Sequence, residues 1–108
     1  MLSLNKEVSN KIKNNKEEWS KEIKKYHYQK ENELREKYNA KQDQKFLEDI
    51  RYHLNYLAAA ISLNSITLFA DYINWTKIYF KNSGISVEGL KSNLKYTKEV
   101  LEKKLDKE

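Results

Sequence analysis

Two histidines are the residues of this chain best suited to proton transfer or metal binding. His53 lies in the stretch "EDIRYHLNY", one helical turn after Asp49 and three residues before Tyr56. A carboxylate at that spacing can orient an imidazole for either task. We expect a polar site of His53, Asp49 and Tyr56 at the edge of the core, where the Asp49 carboxylate or a tyrosine hydroxyl holds the imidazole. His27, in the charged stretch "KKYHYQK", is expected to be exposed.

The patterns that larger catalytic sites require do not occur around these histidines. A carboxylate-bridged di-iron bundle uses paired Glu-x-x-His motifs, but Lys24 and Ile50 stand three positions before His27 and His53. The stretch "GISVEG" lacks the lysine–serine ending of a phosphate-binding loop. The chain has no cysteine, which excludes disulfides, thiolate metal sites and a cysteine nucleophile. We therefore expect no catalytic residue, no metal site and a protein that is not an enzyme.

The segment "LFADYINWTKIYF", residues 68–80, carries five aromatic side chains in a chain otherwise rich in lysine, glutamate and asparagine. At about 100° per residue on a helix, the apolar residues of this region fall into two stripes. The first stripe, typical of core packing, consists of Ile66, Phe69, Ile73, Thr76 and Phe80. The second stripe consists of Leu68, Tyr72, Trp75 and Tyr79. Because tyrosine and tryptophan are enriched at interfaces, the second stripe predicts a surface for a partner or a ligand.

Three interpretations of the second stripe are open. It could pack on the N-terminal helix through Trp19, Ile23 and Tyr26, form the face of a homodimer, or line a ligand pocket. The N-terminal helix carries a narrow apolar stripe of its own, which is typical of packing on a bundle or pairing with another helix. We therefore include Trp19 and Tyr26 in the expected partner surface.

The elements that carry these residues are all predicted to be helices. The chain has no proline and only two glycines, and these residue types are the main helix breakers. Apolar residues recur at steps of three and four, without the alternation of strands. The short connections favour antiparallel neighbours. The sequence therefore predicts an all-α antiparallel bundle of four to five helices, at about 4–13, 16–38, 43–61, 65–82 and 87–106.

Several residues predict where these helices end and how they meet. The expected helix breaks and caps are Asn14–Asn15, Ser65 as an N-cap, Gly84 as a stop and Ser86 as the cap of the last helix. Ala58, Ala59 and Ala60 should let a neighbouring helix approach closely. We expect a single helical domain over 1–108, with a charged N-terminal segment at 1–42 and a three-helix core at 43–108.

The charge pattern bears on partners and location. The net charge is +5, but acids alternate with lysines, as in "KEEWSKEIKK". This pattern favours a solvated helix surface, with weak nucleic-acid binding through the lysines of 6–45 as an alternative. No apolar run approaches the roughly 20 residues of a membrane span, and "MLSLNKEVSN" has no signal-peptide apolar region. We expect a cytoplasmic protein.

Residues 49–101 resemble a helical module of bacterial sensory and regulatory proteins that often precedes a cobalamin-binding domain. The matching features are Tyr52-His53-Leu54, Tyr56-Leu57, Leu68-Phe69, Tyr72, Trp75, Gly84-Ile85, Leu90, Leu94 and Leu101. The family's Rossmann-like cobalamin domain, with its Asp-x-His-x-x-Gly signature, is not found in this chain. The resemblance therefore implies a stand-alone regulatory module.

The sequence thus predicts a non-enzymatic regulatory or sensory module that acts by homodimerisation or by binding a partner protein. The alternative from another class is a ligand-binding sensor for a corrinoid or tetrapyrrole such as cobalamin or haem. That ligand would stack on Trp75, Tyr72 and Tyr79, with His53 as its axial ligand.

Overall fold

A computed structural model describes the backbone of residues 2–82 and 87–106 and the side chains of 5–81 and 88–105. Within these residues the chain is helical, with no strand. The helices are α1 (Leu2–Asn14), α2 (Lys16–Lys30), α3 (Asn32–Lys37), α4 (Ala40–Ser62), α5 (Ile66–Asn82) and α6 (Val87–Asp106). The all-α prediction is confirmed. The described residues form six helices, however, rather than four or five.

The extra helix arises because the predicted helix 16–38 is interrupted at Glu31. That residue has φ −130° and ψ 74°, outside the helical region, and its backbone N–H still donates to the His27 carbonyl as the cap of α2. No residue of α3 is buried. No buried contact therefore holds α3 in line with α2, and α3 forms a short separate helix.

The connections on either side of α4 follow local chemistry. Asn39 and Gln42 form a capping box, since the Asn39 side chain accepts from the Gln42 N–H and the Gln42 side chain accepts from the Asn39 N–H. This box starts α4 at Ala40, three residues earlier than predicted. At the other end, Asn64 adopts φ 52°, a left-handed conformation that asparagine tolerates. The Ser65 hydroxyl then accepts from the Leu68 N–H at 3.2 Å, as its predicted N-cap role requires.

The predicted break at Asn14–Asn15 is also present, since α1 ends at Asn14 and α2 begins at Lys16. The predicted stop at Gly84, the turn at Gly84–Ile85 and the cap at Ser86 lie outside the described residues.

The apolar core lies among α1, α2, α4 and α6. Its buried residues are Ile12, Trp19, Ile23, Ile50, Leu54, Ala58, Val100 and Leu101. The charged segment 1–42 therefore supplies part of this core, through Ile12, Trp19 and Ile23. The narrow apolar stripe of α1 and α2 is buried because it lies against α4 and α6.

Helices α1 and α4 are in contact at Ala58. The Ser9 hydroxyl of α1 donates to the Ala58 carbonyl of α4 at 2.7 Å, in a buried position. A methyl side chain leaves room for this contact, as the alanine run predicted. None of the helices in the described residues has the length and apolar character that crossing a bilayer demands.

Candidate interaction surface on helices α4 and α5

Helix α5 is held to the rest of the protein by one side only. Tyr72, Thr76 and Phe80 are buried, and α5 packs on α4 and α6. The Thr76 hydroxyl donates to the Tyr72 carbonyl at 2.8 Å, which satisfies a polar group on this buried side. The first predicted stripe is thus buried at Thr76 and Phe80, whereas Ile66 at its start is 88% exposed.

Another part of the α5 circumference carries large apolar side chains in contact with solvent. Trp75 is 62% exposed and Ile78 is 61% exposed. The ring of Trp75 stacks on that of Tyr79, with centroids 5.6 Å apart and planes 11° from parallel. The stacked side chains of Trp75 and Tyr79 remain 62% and 41% exposed.

Helix α4 extends the exposed aromatic area. Tyr52 and Tyr56 are exposed. The Tyr56 ring stacks on the Tyr72 ring at 4.0 Å, which joins the exposed tyrosines of α4 to the buried side of α5. Below we call Tyr52, Tyr56, Trp75, Ile78 and Tyr79 the α4–α5 surface.

A lysine borders this surface. The Lys45 ammonium lies 5.8 Å from the Tyr79 ring centre, within the range of a cation–π contact. The same ammonium pairs with the Asp49 carboxylate at 2.8 Å. Burial raises the pKa of the Asp49 carboxyl, and the Lys45 ammonium opposes that rise.

The predicted polar site is only partly assembled. The His53 Nδ1 lies 2.7 Å from the Tyr72 hydroxyl, so a tyrosine hydroxyl holds the imidazole, as one of the two expected arrangements has it. Asp49 binds Lys45 instead of His53, and Tyr56 contributes a ring rather than a hydrogen bond. Burial lowers the pKa of His53 to about 4 and raises the pKa of Tyr72 to about 12. The pair is therefore neutral at pH 7.

The burial of His53 also bears on the predicted axial ligand. This side chain is 3% exposed, and one ring nitrogen is bonded to Tyr72. A flat ligand stacked on Trp75 and Tyr79 would lie on the outer face of α5, whereas His53 lies beneath its inner side. Of the three expected ring-stacking residues, Tyr72 lies against His53 but is buried, whereas Trp75 and Tyr79 are exposed and, within the described residues, make no ring contact with His53.

Four of the six residues expected on the partner surface are buried or half-buried: Trp19, Tyr26, Leu68 and Tyr72. Trp19 is 7% exposed and belongs to the core. Tyr72 is buried between α4 and α5. Tyr26 is half-buried and edge-on to Tyr96, and the ammonium groups of Lys30 and Lys103 lie 5.4 Å and 5.5 Å from its ring centre. Trp19 and Tyr72 are therefore removed from the surface, since packing within the chain already covers them.

Two members of the surface were missed from sequence. Ile78 follows Trp75 by three residues, and Tyr52 precedes Tyr56 by four, so helical spacing could have identified both. Leu68, which was expected on the surface, is half-buried.

His27 is buried rather than exposed. Its Nδ1 lies 3.1 Å from the Asn93 side-chain nitrogen, and its ring lies edge-on to Phe46 and Tyr96. Burial lowers its pKa, although the nearby Glu31 carboxylate opposes that change. The signal was present in the sequence: His27 follows the buried Ile23 by four residues and so lies on the same helical stripe.

Several of the basic side chains are already paired. Lys24 binds Asp43 at 2.9 Å, Arg51 binds Glu17 at 2.8 Å and Lys104 binds Glu22 at 2.8 Å. In the described part of the chain, no group of three or more histidine and acidic side chains could hold a metal ion.

Compared with known proteins, the chain matches no family model, no curated protein and no solved structure.

Proposed function

We propose that this protein is a non-enzymatic regulatory module that acts by protein association through the α4–α5 surface, with a second copy of the chain as its partner. The observation that carries the proposal is the exposure of Trp75, stacked on Tyr79 beside the exposed Ile78. Large aromatics at the centre of an interface often contribute about 2 kcal/mol or more to binding.

The other side of α5 explains why this exposure supports an interface. Tyr72, Thr76 and Phe80 already attach α5 to the protein, so the fold does not require a tryptophan on the outer side. Proteins rarely expose contiguous apolar patches larger than a few hundred Å² unless something binds there. Two-fold homodimers are the commonest oligomers, and they cover such a patch with an identical one.

The regulatory part of the proposal rests on the resemblance of residues 49–101 to the helical module of bacterial sensory proteins. That resemblance stays a prediction. Cobalamin binding is not part of the proposal, because His53 is buried and bonded to Tyr72.

The test is the association of a Trp75→Ala variant. We expect wild-type protein to sediment as a dimer and the variant to dissociate at least about 30-fold more readily, which corresponds to about 2 kcal/mol. Far-UV circular dichroism should show equal helicity for both. Ile66→Ala is the matched control, since Ile66 is an exposed apolar residue of the same helix outside the α4–α5 surface, and it should leave the dimer unchanged.

Two results would contradict the proposal. Wild-type protein that stays monomeric at high concentration would remove the second copy as the partner. A Trp75→Ala variant that unfolds would show that Trp75 stabilises the fold rather than an interface.

A further inference from the structure

We propose that the dimer is formed by two antiparallel α5 helices that cross at Trp75, with Asp71 of each copy facing Lys45 and Tyr79 of the other. This inference rests on the proposed function and specifies its geometry. It follows from how charge is placed around Trp75 on the exposed side of α5.

Charges of opposite sign lie on the two sides of Trp75 along α5, the negative one on α5 itself and the positive one on α4. Asp71 precedes Trp75 by four residues, about one helical turn, and is exposed. Among the described residues it forms no ion pair. Tyr79 follows Trp75 by four residues and lies under the Lys45 ammonium at 5.8 Å. The surface thus has, one turn before Trp75, a carboxylate that is unpaired among the described residues. One turn after Trp75 it has the Lys45 ammonium, whose side chain is 43% exposed, whereas that of its partner Asp49 is 17% exposed, so the ammonium is the solvent-facing end of the pair.

A two-fold axis at Trp75 makes this arrangement self-complementary. When two copies of α5 run antiparallel about that axis, residue 71 of one copy lies at the level of residue 79 of the other. The Asp71 carboxylate of each copy then faces the Lys45 ammonium of the other copy, so the dimer contains two such contacts. A parallel pairing would instead place Asp71 at the level of Asp71 and Lys45 at the level of Lys45. Like charges that face each other are unfavourable, so the charges select the antiparallel arrangement.

Spin-label distances test the direction and the centre of the pairing. Thr67, Asn74 and Lys81 are exposed and recur every seven residues, so they share one flank of α5. The chain has no cysteine, so Thr67→Cys, Asn74→Cys and Lys81→Cys each give one labelled site per copy. At about 1.5 Å of rise per residue, the axial separation of equivalent sites is about 24 Å, 3 Å and 18 Å respectively.

We expect the measured distance to be shortest at position 74 and longer at both 67 and 81. Equal distances at the three positions would indicate parallel helices and overturn the inference. A steady increase from one end of α5 to the other would place the axis away from Trp75 and would overturn it as well.

Charge reversal tests the facing groups. Asp71→Lys should weaken the dimer about tenfold, because two exposed ion pairs become repulsive contacts. Glu102→Lys makes the same change of charge at an exposed site on α6 and should have a much smaller effect. Each single variant, Asp71→Lys or Lys45→Glu, should raise the dissociation constant of the dimer by some factor. In the double variant the dissociation constant should rise by less than the product of these two factors.

The outcomes separate this inference from the proposed function. A dimer that depends on Trp75 but shows no coupling between positions 71 and 45 would overturn the antiparallel geometry and leave the function standing. A wild-type monomer would overturn both.

Discussion

At the scale of single residues, Trp19 and Trp75 have the same side chain and opposite surroundings. Trp19 lies in the core with Ile23 and Leu54, whereas Trp75 is mostly in contact with solvent. Replacing Trp19 would remove buried area and leave a cavity, a change that typically costs 3–5 kcal/mol for a buried aromatic. Replacing Trp75 removes a side chain that the folded chain leaves 62% exposed. Trp19 therefore stabilises the fold, whereas Trp75 is the residue for which we propose a role in association.

The His53–Tyr72 pair predicts a pH dependence of stability. Burial lowers the pKa of His53 to about 4, below its ordinary value of 6.5. Between these two values the unfolded chain binds a proton that the folded chain does not. The free energy of unfolding should therefore fall as the pH drops from 6.5 toward 4, by up to about 1.4 kcal/mol per pH unit from this group.

Urea unfolding of wild type and His53→Gln at pH 7, 6 and 5 measures this contribution. The variant should lose less stability than wild type over that interval, whatever its stability at pH 7. His27 and Asp49 titrate in both proteins, so their contributions cancel in the comparison. Parallel pH profiles would show that His53 is protonated in the folded protein at an ordinary pKa.

At the scale of elements, α4 is the helix that joins α5 to the two N-terminal helices. Helices α1, α2 and α5 all pack on it, and it carries His53, Tyr52 and Tyr56 of the sites described above. Its length depends on local chemistry at its start, where Asn39 and Gln42 satisfy backbone N–H groups that have no partner within the helix.

The capping box predicts the effect of a single substitution. Asn39→Ala removes the acceptor for the Gln42 N–H at 2.8 Å, and we expect it to lower the free energy of unfolding by about 1 kcal/mol. Gln44→Ala is the control, because Gln44 is exposed in the same turn of α4 and takes no part in the box. Equal denaturation midpoints for the two variants would mean that water accepts a hydrogen bond from the Gln42 N–H as well as the Asn39 side chain does.

At the scale of the whole molecule, association and stability are linked. If folded chains dimerise and unfolded chains do not, raising the protein concentration stabilises the folded state. We expect the thermal midpoint of wild-type protein to rise over a hundredfold range of concentration. The midpoint of Trp75→Ala should be nearly constant, and that of Ile66→Ala should rise as in wild type.

A wild-type midpoint that does not depend on concentration would mean that the dimer is not populated near the midpoint, contrary to this prediction. A variant midpoint that rises as steeply as that of wild type would place the interface elsewhere on the protein.

What the sequence determined by itself was the local structure. The three- and four-residue spacing of apolar side chains, together with the absence of proline, was enough to predict helices, since these features act within one or two turns. The N-cap at Ser65 and the break after Asn14 were likewise predicted from residue types. The position of Trp75 on a stripe apart from the core residues Thr76 and Phe80 also followed from helical angles.

Only the tertiary structure decided which stripes are covered. Helical periodicity predicts which residues share a face but not which neighbouring helix packs there, so Trp19 and Tyr72 were placed on a surface and are buried. His27 was placed in solvent and is enclosed because α6 brings Asn93 and Tyr96 against it. Lys45 and His53 lie one helical turn before and after Asp49, so either could pair with its carboxylate. In the folded protein the carboxylate binds Lys45, and the Nδ1 of His53 is bonded to the hydroxyl of Tyr72 from α5. Burial and partner choice depend on contacts between residues far apart in the chain, and these contacts exist only once the helices have packed.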